Sequence, residues 1–465
     1  MLRIGGQKVP GQLLLLIASD AVLVGAGLAC SVALRFHSGS VIKHYLAAPE
    51  NLFRFAAVTG VCLLSFYYND LYNFELMSRP RDFFASMLQG YGIACVLLAI
   101  LYFVAPGLGL GRGISVIAAL LIPFLATVWR LVTVYRGWLL VGAERVLVVG
   151  TAQPGIQLTR KIISQPEFNL RVVGFLDEQG KNIGRSLVNP GIIGAVSDVE
   201  QIAESHKIQR VILSLAERRG NMPVRALLHL RFAGIEIEDA HSVHERLTGR
   251  IVLEHLSPSW LILSHGFCKS DMLAVSKRAM DIFCACVGLI LASPLLLLTA
   301  LAVWIESGRP IFFRQERVGL NEKTFEIMKF RSMHHNSEGE TPRWAAENDS
   351  RVTRVGKLIR KIRIDEIPQL INVIKGEMSL VGPRPERPYF VDVLGQSIPY
   401  YGLRHTVRPG VTGWAQVRYQ YGGSVEEAKT KLEYDFFYIK HRSILLDIAI
   451  LFETAKVLLW QRGAK

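Results

Sequence analysis

The stretch that decides the fold of this chain, at residues 364–385, reads IDEIPQLINVIKGEMSLVGPRP. Two adjacent carboxylates, Asp365 and Glu366, stand immediately before an amphipathic run that begins at Ile367. One interpretation is structural, because an aspartate often caps a helix and Pro368 is tolerated in a first helical turn. The other is chemical, because the free amides of a helix N-terminus bind phosphate groups. The stretch is compatible with both.

The two carboxylates follow three cations, Arg360, Lys361 and Arg363. We expect these cations to hold Asp365 ionised, because a nearby opposite charge favours the charged form. An ionised carboxylate beside a phosphate-binding helix end is the arrangement that a phosphoryl-accepting nucleophile requires. Asp365 is therefore the candidate nucleophile. Glu366 points elsewhere on a helix, which indicates a separate role.

The composition indicates a membrane-associated protein with more than one domain. The chain has 465 residues, 53 Lys+Arg against 39 Asp+Glu and a formal net charge of +14, and its mean hydropathy is +0.29. It is too long for one compact domain and too apolar for a purely soluble protein. The positive charge suits phospholipid headgroups or phosphorylated substrates. A nucleic-acid partner is disfavoured, because the sequence has no nucleic-acid-binding motif and its apolar segments require lipid.

Four apolar segments near the N-terminus reach the length of a membrane-spanning helix. They lie at about 11–34, 52–68, 83–105 and 114–134. We therefore predict a four-helix transmembrane region over residues 1–140. Asp20 lies inside the first segment, where a carboxylate is either a functional group or a partner in an interhelical hydrogen bond.

Residues 141–270 have the pattern of a Rossmann-like domain. Short apolar strand candidates alternate with helical stretches and lie at 145–150, 171–177 and 209–216. This alternation is typical of a parallel sheet. The turn after the first strand reads GTAQPG, in which Ala152 replaces the glycine that lets a backbone approach a pyrophosphate. Two roles stay open: a dinucleotide site with Asp177 on the ribose, and a structural or regulatory sheet.

A fifth apolar segment covers residues 279–305 and has Ser293-Pro294 at its middle. Proline removes a backbone donor and kinks a helix. Each half has about 13 residues, or ~20 Å of helix, which is too short to cross a hydrocarbon core of about 30 Å. From the residues alone, the segment is either a kinked transmembrane helix or a re-entrant helix that enters and leaves by the same face.

The stretch at 364–385 resembles the core motif of the monotopic phosphoglycosyl transferases, the bacterial sugar transferase family. Four blocks that resemble the family follow in its order and read FFRQERVGLNEKTFEIMKFRSM (312–333), NDSRVTRVGKLIRKIRIDE (348–366), RPGVTGWAQV (408–417) and KLEYDFFYIKHRSILLDI (431–448). The resemblance covers roughly residues 275–465. The apolar and Rossmann-like regions upstream resemble the long form of the family.

The resemblance implies an enzyme that transfers a sugar 1-phosphate from a UDP-sugar to undecaprenyl phosphate, releases UMP and initiates exopolysaccharide, capsule or O-antigen synthesis. It implies that Asp365 forms a covalent phosphosugar intermediate and that Arg360 binds a substrate phosphate. Glu366 is the expected ligand of Mg²⁺, an ion that needs few carboxylates. We expect further phosphate contacts from among four cations, Arg384, Arg317, Lys329 and Arg331.

The resemblance also implies a C-terminal monotopic α+β catalytic domain over residues 271–465, with a re-entrant membrane helix at 277–306. Family members re-enter at a Ser-Pro break, which favours that role for Ser293 and Pro294. The catalytic domain would then lie on the cytoplasmic face of the bacterial inner membrane, in contact with membrane lipids. Formation of a homo-oligomer stays open.

Two other functions compete with this one. A polysaccharide transporter would explain the apolar segments, but more than half of the chain is soluble in character and no internal repeat is present. A membrane-anchored nucleotide-sugar oxidoreductase or dehydratase would use the Rossmann-like domain. Ala152 and the absence of a Tyr-x-x-x-Lys pair in 145–270 disfavour it. Trp414 either stacks on a nucleotide base or packs in the protein.

Overall fold

The structure is a computed structural model that describes most of the chain. The described residues are 3–4, 7–8, 11–72, 80–135, 143–165, 168–215, 222–256, 258–264, 266–267, 270–334, 351–419 and 424–460. They fall mainly into two compact units, one within Lys8–Val243 and one within His244–Lys465. Two short strands, β1 (Arg3–Ile4) and β2 (Gln7–Lys8), precede the first helix.

Long apolar helices form the N-terminal region, as the hydropathy predicts. They are α1 (Gly11–Arg35), α3 (Pro49–Tyr68), α4 (Pro80–Val104) and α5 (Arg112–Tyr135), with the short α2 (Gly39–Ala47) after the first. These four and one later helix are the described helices that are long and apolar enough to cross a membrane. Val24, Leu28 and Ile122 are among the side chains in their common core. The chain is therefore a membrane protein.

Asp20, the carboxylate inside the first apolar segment, has an interhelical partner. Arg130 on α5 donates from Nη2 to Asp20 Oδ2 at 2.5 Å and from Nη1 to the carbonyl of Leu71 at 2.7 Å. Both charged side chains are almost fully buried. Of the two roles left open for Asp20, the structure supports the interhelical contact, because a charge in this environment requires a hydrogen-bonded partner.

A parallel five-stranded sheet follows, and this confirms the predicted alternation. Its strands are β3 (Glu144–Val149), β4 (Leu170–Asp177), β5 (Ile192–Ala195), β6 (Arg210–Leu213) and β7 (Glu236–Asp239), in the order β5-β4-β3-β6-β7. The helices between them are α6 (Gln153–Ser164), α7 (Val199–Ser205) and α8 (Val224–Phe232). The centre of the sheet is almost wholly apolar, because helices cover parallel sheets on both faces.

The C-terminal unit begins earlier than the predicted boundary at residue 270. Helix α9 (Ala240–Thr248) continues into a segment whose Ile251 and Leu253 lie in the hydrophobic core of the C-terminal unit. The amide of Ile251 donates to the carbonyl of Glu433 at 3.1 Å. The amide of Leu253 donates to the Glu433 side chain at 3.2 Å. The sequence pattern missed this boundary because a short apolar segment does not reveal which core it joins.

The C-terminal unit mixes helices with two small sheets. After α10 (Pro258–Leu263) and α11 (Asp271–Ser307), an antiparallel hairpin pairs β8 (Phe312–Val318) with β9 (Thr324–Phe330). Strands β10 (Ser379–Val381) and β11 (Gly410–Thr412) pair in parallel. The helices are α12 (Arg354–Lys361), α13 (Gln369–Lys375), α14 (Pro388–Ser397), α15 (Trp414–Arg418), α16 (Val425–His441) and α17 (Ile444–Trp460). Residues of β10, α13 and α16 form the centre of the core.

Helix α11 is continuous through the Ser293-Pro294 pair. Pro294 has no amide to donate to the carbonyl of Ile290, and Ser293 Oγ donates to that carbonyl at 2.8 Å. The serine therefore satisfies the acceptor that the proline leaves unpaired, and the predicted interruption is not seen. With 37 residues, the helix is ~55 Å long if straight.

We predict that residues 240–256 are part of the folded C-terminal unit. A protein that begins at residue 240 should unfold at a clearly higher temperature than one that begins at residue 270, because the shorter one lacks two buried aliphatic side chains. The free energy of unfolding should differ between the two proteins by at least about 3 kcal/mol. Thermal unfolding in detergent measures it, and an Ile251→Ala/Leu253→Ala variant of the longer protein should lie between the two. Equal midpoints would contradict the prediction.

Candidate active site

Asp365 lies in a short 3-10 turn between α12 and α13. Arg363 adopts the left-handed conformation, with φ 59°, and turns the chain into the segment Ile364–Glu366. Pro368 occupies the N-cap position of α13, and no side chain caps that helix. The helix-cap interpretation of Asp365 is therefore wrong. The Asp365 side chain is buried, and its Oδ1 has no hydrogen-bond partner.

Glu366 is held by two cations from distant parts of the chain. Its Oε1 accepts from Lys329 Nζ at 2.7 Å and from Arg384 Nη2 at 3.0 Å. Arg363 lies 3.9 Å from the second oxygen. Burial by itself would raise the pKa of Glu366, but Lys329 and Arg384 outweigh it and hold that pKa well below its usual range. Glu366 is therefore ionised throughout the physiological range.

Asp365 behaves in the opposite way to its neighbour. Burial and the negative charge of Glu366 raise the pKa of Asp365 to about 6, although Lys329, Arg360 and Arg363 act to lower it. The expectation that nearby cations would hold Asp365 firmly ionised is thus corrected. Lys329 and Arg384 donate to Glu366, whereas the Oδ1 atom of Asp365 has no hydrogen-bond partner. Near pH 7 Asp365 is still mostly ionised, but it is less stabilised than a surface carboxylate.

The turn that carries Arg384 is fixed through its backbone. Arg404 Nη2 donates to the carbonyl of Arg384 and Arg317 Nη1 donates to the carbonyl of Pro385, each at 3.0 Å. Arg404 also donates to Asp435 on α16 at 2.9 Å. Sequence reasoning missed Arg404 and Asp435. The one signal was an aspartate within the aromatic run of α16, because a carboxylate in such surroundings requires a buried partner.

The other predicted cations are placed differently. Arg331 Nη2 donates to the carbonyls of Ser307 and Gly308 at the end of α11, so its contacts are structural. Arg360, in the last turn of α12, acts on Asp365 through its charge.

Trp414 is buried and donates from Nε1 to the carbonyl of Gly249 at 2.7 Å. Of the two roles left open for Trp414, the structure supports packing.

A small basic pocket opens beside the Lys329 and Arg384 side chains that bind Glu366. Its lining residues are Arg317, Ile327, Lys329, Gln369, Arg384, Pro385 and Gly410. Three of these seven residues carry cationic side chains, so the pocket suits an anionic ligand such as a phosphorylated molecule.

The oxygen atoms at the turn suit a hard divalent cation. Glu366 supplies an ionised carboxylate, and Asp365 Oδ1 is a buried acceptor without a partner. Among the described residues, no group of three or more His, Cys, Asp or Glu side chains is placed to hold a metal ion. Mg²⁺ does not need one, because it binds through one or two carboxylates together with phosphate oxygens and water.

Hydrogen bonds within the chain already occupy backbone amides at the glycine turn of the sheet domain. The amide of Gly155, at the start of α6, donates to Ser214 Oγ at 2.8 Å. The amide of Ala152 donates to the carbonyl of Ser214 at 3.1 Å. Asp177 Oδ2 accepts from the amide of Lys181 at 2.9 Å. The groups that would bind a pyrophosphate and a ribose thus already have partners, which supports the structural role for this sheet.

Comparisons with known proteins match both halves of the chain. The family model of the bacterial sugar transferases matches residues 272–461, and that of a CoA-binding domain matches residues 68–237. A UDP-N-acetylgalactosamine-undecaprenyl-phosphate N-acetylgalactosaminephosphotransferase of Aeromonas hydrophila is 45% identical over 52% of this chain and 56% of its own length. An undecaprenyl-phosphate glucose phosphotransferase of Komagataeibacter xylinus is 34% identical over 69% of this chain and 60% of its own.

A third relative is matched over more of its length. It is a UDP-glucose:undecaprenyl-phosphate glucose-1-phosphate transferase of Xanthomonas campestris pv. campestris, 30% identical over 70% of this chain and 68% of its own. The chain thus spans somewhat less than two thirds of the first two relatives and slightly more than two thirds of the third.

We predict that the charge of Asp365 destabilises the folded protein. Above pH 6 the raised pKa disfavours the ionised form in the folded state, and this penalty disappears below the ordinary value of 3.8. Asp365→Asn should therefore raise the free energy of unfolding by about 1–3 kcal/mol at pH 7.5. This difference from the wild type should disappear near pH 4. Glu366→Gln is the matched control and should lower the stability, because Lys329 and Arg384 lose their partner. Thermal unfolding of both variants across pH tests the prediction, and a destabilised Asp365→Asn protein would contradict it.

We also predict that the sheet domain binds neither CoA nor NAD(P), because its helix N-terminus is occupied by Ser214. Calorimetry on the full chain in detergent should show no saturable binding at micromolar concentrations. Saturable binding that Asp177→Ala abolishes would show that the turn opens to a nucleotide.

Proposed function

The chain belongs to the bacterial sugar transferase family, in its long form, and we propose that it transfers a sugar 1-phosphate from a UDP-sugar to undecaprenyl phosphate. The observation that carries this proposal is the position of Asp365, a buried carboxylate whose Oδ1 atom has no hydrogen-bond partner, beside an ionised carboxylate and a basic pocket. The names of the relatives support the same reaction. They include glucose and N-acetylgalactosamine transferases, and a hexose 1-phosphate is the proposed cargo.

The first step is attack by an Asp365 oxygen on the phosphorus that bears the sugar. A bond forms between this oxygen and phosphorus, the phosphoanhydride bond to UMP breaks, and UMP leaves with the electron pair. Asp365 now carries the phosphosugar as an acyl phosphate. Because its charge is poorly stabilised by the surrounding protein, the carboxylate is a better nucleophile than one locked in an ion pair.

In the second step, an oxygen of undecaprenyl phosphate attacks the same phosphorus and the bond to Asp365 breaks. The product is an undecaprenyl diphosphate sugar, and the free carboxylate is restored. One phosphoanhydride is broken and another is made over the cycle, so no net proton or hydride is transferred. Lys329, Arg384 and Arg317 line the pocket and would neutralise the diphosphate in both steps.

Glu366 would hold Mg²⁺, together with substrate phosphate oxygens. The ion, when bound, would neutralise charge that develops on the departing UMP. Glu366 suits this role because Lys329 and Arg384 hold its pKa low, so a proton does not compete for its oxygens. Its ionised carboxylate also keeps both cations oriented towards the pocket.

The contacts of α11 support a re-entrant position in the membrane. Near its start, Arg278 donates to the carbonyl of Val373. Near its end, Glu306 accepts from the amides of Arg354 and Val355. The same globular unit thus holds both flanks of the apolar segment, as expected if the uninterrupted helix bends at Pro294 and so enters and leaves by one face. The active site would then lie at the cytoplasmic face of the inner membrane, where soluble UDP-sugars and undecaprenyl phosphate meet.

The two competing functions receive less support. An oxidoreductase or dehydratase would need a nucleotide site in the sheet domain, and Ser214 occupies the amides that such a site would use. A transporter would not require the pairing of Asp365 with the Glu366 cluster. We propose that the product enters the synthesis of an exopolysaccharide, capsule or O-antigen, which is the role that the family resemblance implies.

We predict that Asp365→Asn lowers the rate of UMP release at least about 1,000-fold, because the amide cannot form the acyl phosphate. The wild type should lose rate about tenfold per pH unit well below pH 6, as the nucleophile becomes protonated. Purified protein, labelled UDP-sugar and undecaprenyl phosphate are needed. Without the lipid, mass spectrometry should find a phosphosugar on the peptide that contains Asp365.

Glu366→Gln is the comparison variant for this experiment. It should keep slow turnover and require more Mg²⁺, because the nucleophile is intact while the proposed metal ligand is weakened. Substantial UMP release by Asp365→Asn, or an adduct on another residue, would reject the covalent mechanism.

A further inference from the structure

Side chains of the membrane helix α11 hold the strand that precedes the Arg384 turn. Asp281 Oδ1 accepts from the amide of Leu380 at 3.1 Å. One helical turn earlier, Lys277 Nζ donates to the carbonyl of Val381 at 3.1 Å. Two consecutive residues of β10 are therefore bound to a helix whose outer part is proposed to lie in lipid.

These contacts belong to a buried polar cluster. Lys277 Nζ also donates to Asp447 Oδ2 on α17 at 2.6 Å. Tyr438 Oη lies 2.9 Å from Asp447 Oδ1 and 2.9 Å from the carbonyl of Val381. Asp281 is only 2% exposed and Asp447 is fully buried. Buried charges are costly unless they are paired, so this cluster holds β10 in one position.

The position of Arg384 depends on the position of β10, because the two are close in the chain. Only Gly382 and Pro383 separate Val381 from Arg384, and Pro383 and Pro385 restrict the backbone on either side of it. The amide of Gly382 donates to the carbonyl of Thr412, and the amide of Gly410 donates to the carbonyl of Pro383, each at 2.9 Å. A displacement of β10 would therefore move the guanidinium that pairs with Glu366.

We propose that Asp281 and Lys277 are positioning residues for Arg384, through which the membrane helix holds the phosphate-binding turn in its productive place. This inference rests on the proposed function for its kinetic consequence, but the physical link from α11 to β10 does not. A carboxylate in an otherwise apolar helix is expected to serve a function. Here its partner is a backbone amide four residues before Arg384.

The first measurement tests the link without any activity. Hydrogen exchange of the full chain in nanodiscs should show slow exchange at 378–386 in the wild type. Asp281→Ala should raise the exchange of this segment at least about tenfold, because the amide of Leu380 loses a buried acceptor. Asp281→Asn should restore protection, since its carbonyl oxygen can accept the same bond. Ser276→Ala is the matched control, because that hydroxyl donates to the carbonyl of Met272 within the same helix.

The second measurement is a double-mutant cycle on UMP release. Asp281→Ala should lower kcat about 10- to 100-fold, and Asp281→Asn and Ser276→Ala should stay within about threefold of the wild type. Arg384→Lys should lower kcat by itself. Addition of Asp281→Ala to Arg384→Lys should cost little more, because both changes remove the same placed guanidinium.

The outcomes separate this inference from the proposed function. Unchanged exchange at 378–386 in Asp281→Ala would overturn the physical link. Fully additive losses in the cycle would overturn the positioning role and leave Asp281 as a general stabiliser. A wild-type protein that releases no UMP would reject the proposed function, while the exchange result would still decide whether α11 holds β10.

Discussion

The ion pairs of Glu366 with Lys329 and Arg384 are the interaction on which the catalytic unit depends. A buried carboxylate is stable as an anion only if cations approach it closely, and these two come from β9 and from the turn after β10. The hairpin, the 3-10 turn and the Arg384 turn must therefore meet at one point. Arg404 and Arg317 hold the backbone of the turn. Much of the polar structure of this unit thus serves to place one arginine.

The same arrangement explains why two adjacent carboxylates differ. Glu366 receives both cations, whereas Asp365 receives the burial and the negative charge of Glu366 without a hydrogen bond at Oδ1. One carboxylate is therefore firmly ionised, and its neighbour is ionised but poorly stabilised. This difference is what the proposed mechanism requires, in which Glu366 orients cations and Asp365 is the nucleophile.

Helix α11 is part of the catalytic unit and not only an anchor. Its residues contact α13, β10, α17 and the start of α12, so the apolar segment is enclosed at both flanks by one globular fold. Ser293 satisfies the carbonyl that Pro294 leaves without a donor, which lets the helix continue through the proline. The sheet domain, by contrast, uses the amides at its glycine turn for internal hydrogen bonds with Ser214.

Local sequence by itself determined the apolar helices, the alternation of strands and helices, and Asp365 and Glu366 as the central carboxylates, because hydrophobic periodicity and dense motifs are local properties. Tertiary structure decided which cation pairs with which carboxylate. It placed Arg331 on the end of α11 and Trp414 in the core, and it joined Ile251 to the catalytic unit. It also reversed the expected effect on the pKa of Asp365, since desolvation and hydrogen-bond distances depend on residues far apart in the chain. Spacing along a sequence records neither, because burial and charge pairing arise only when distant segments pack together.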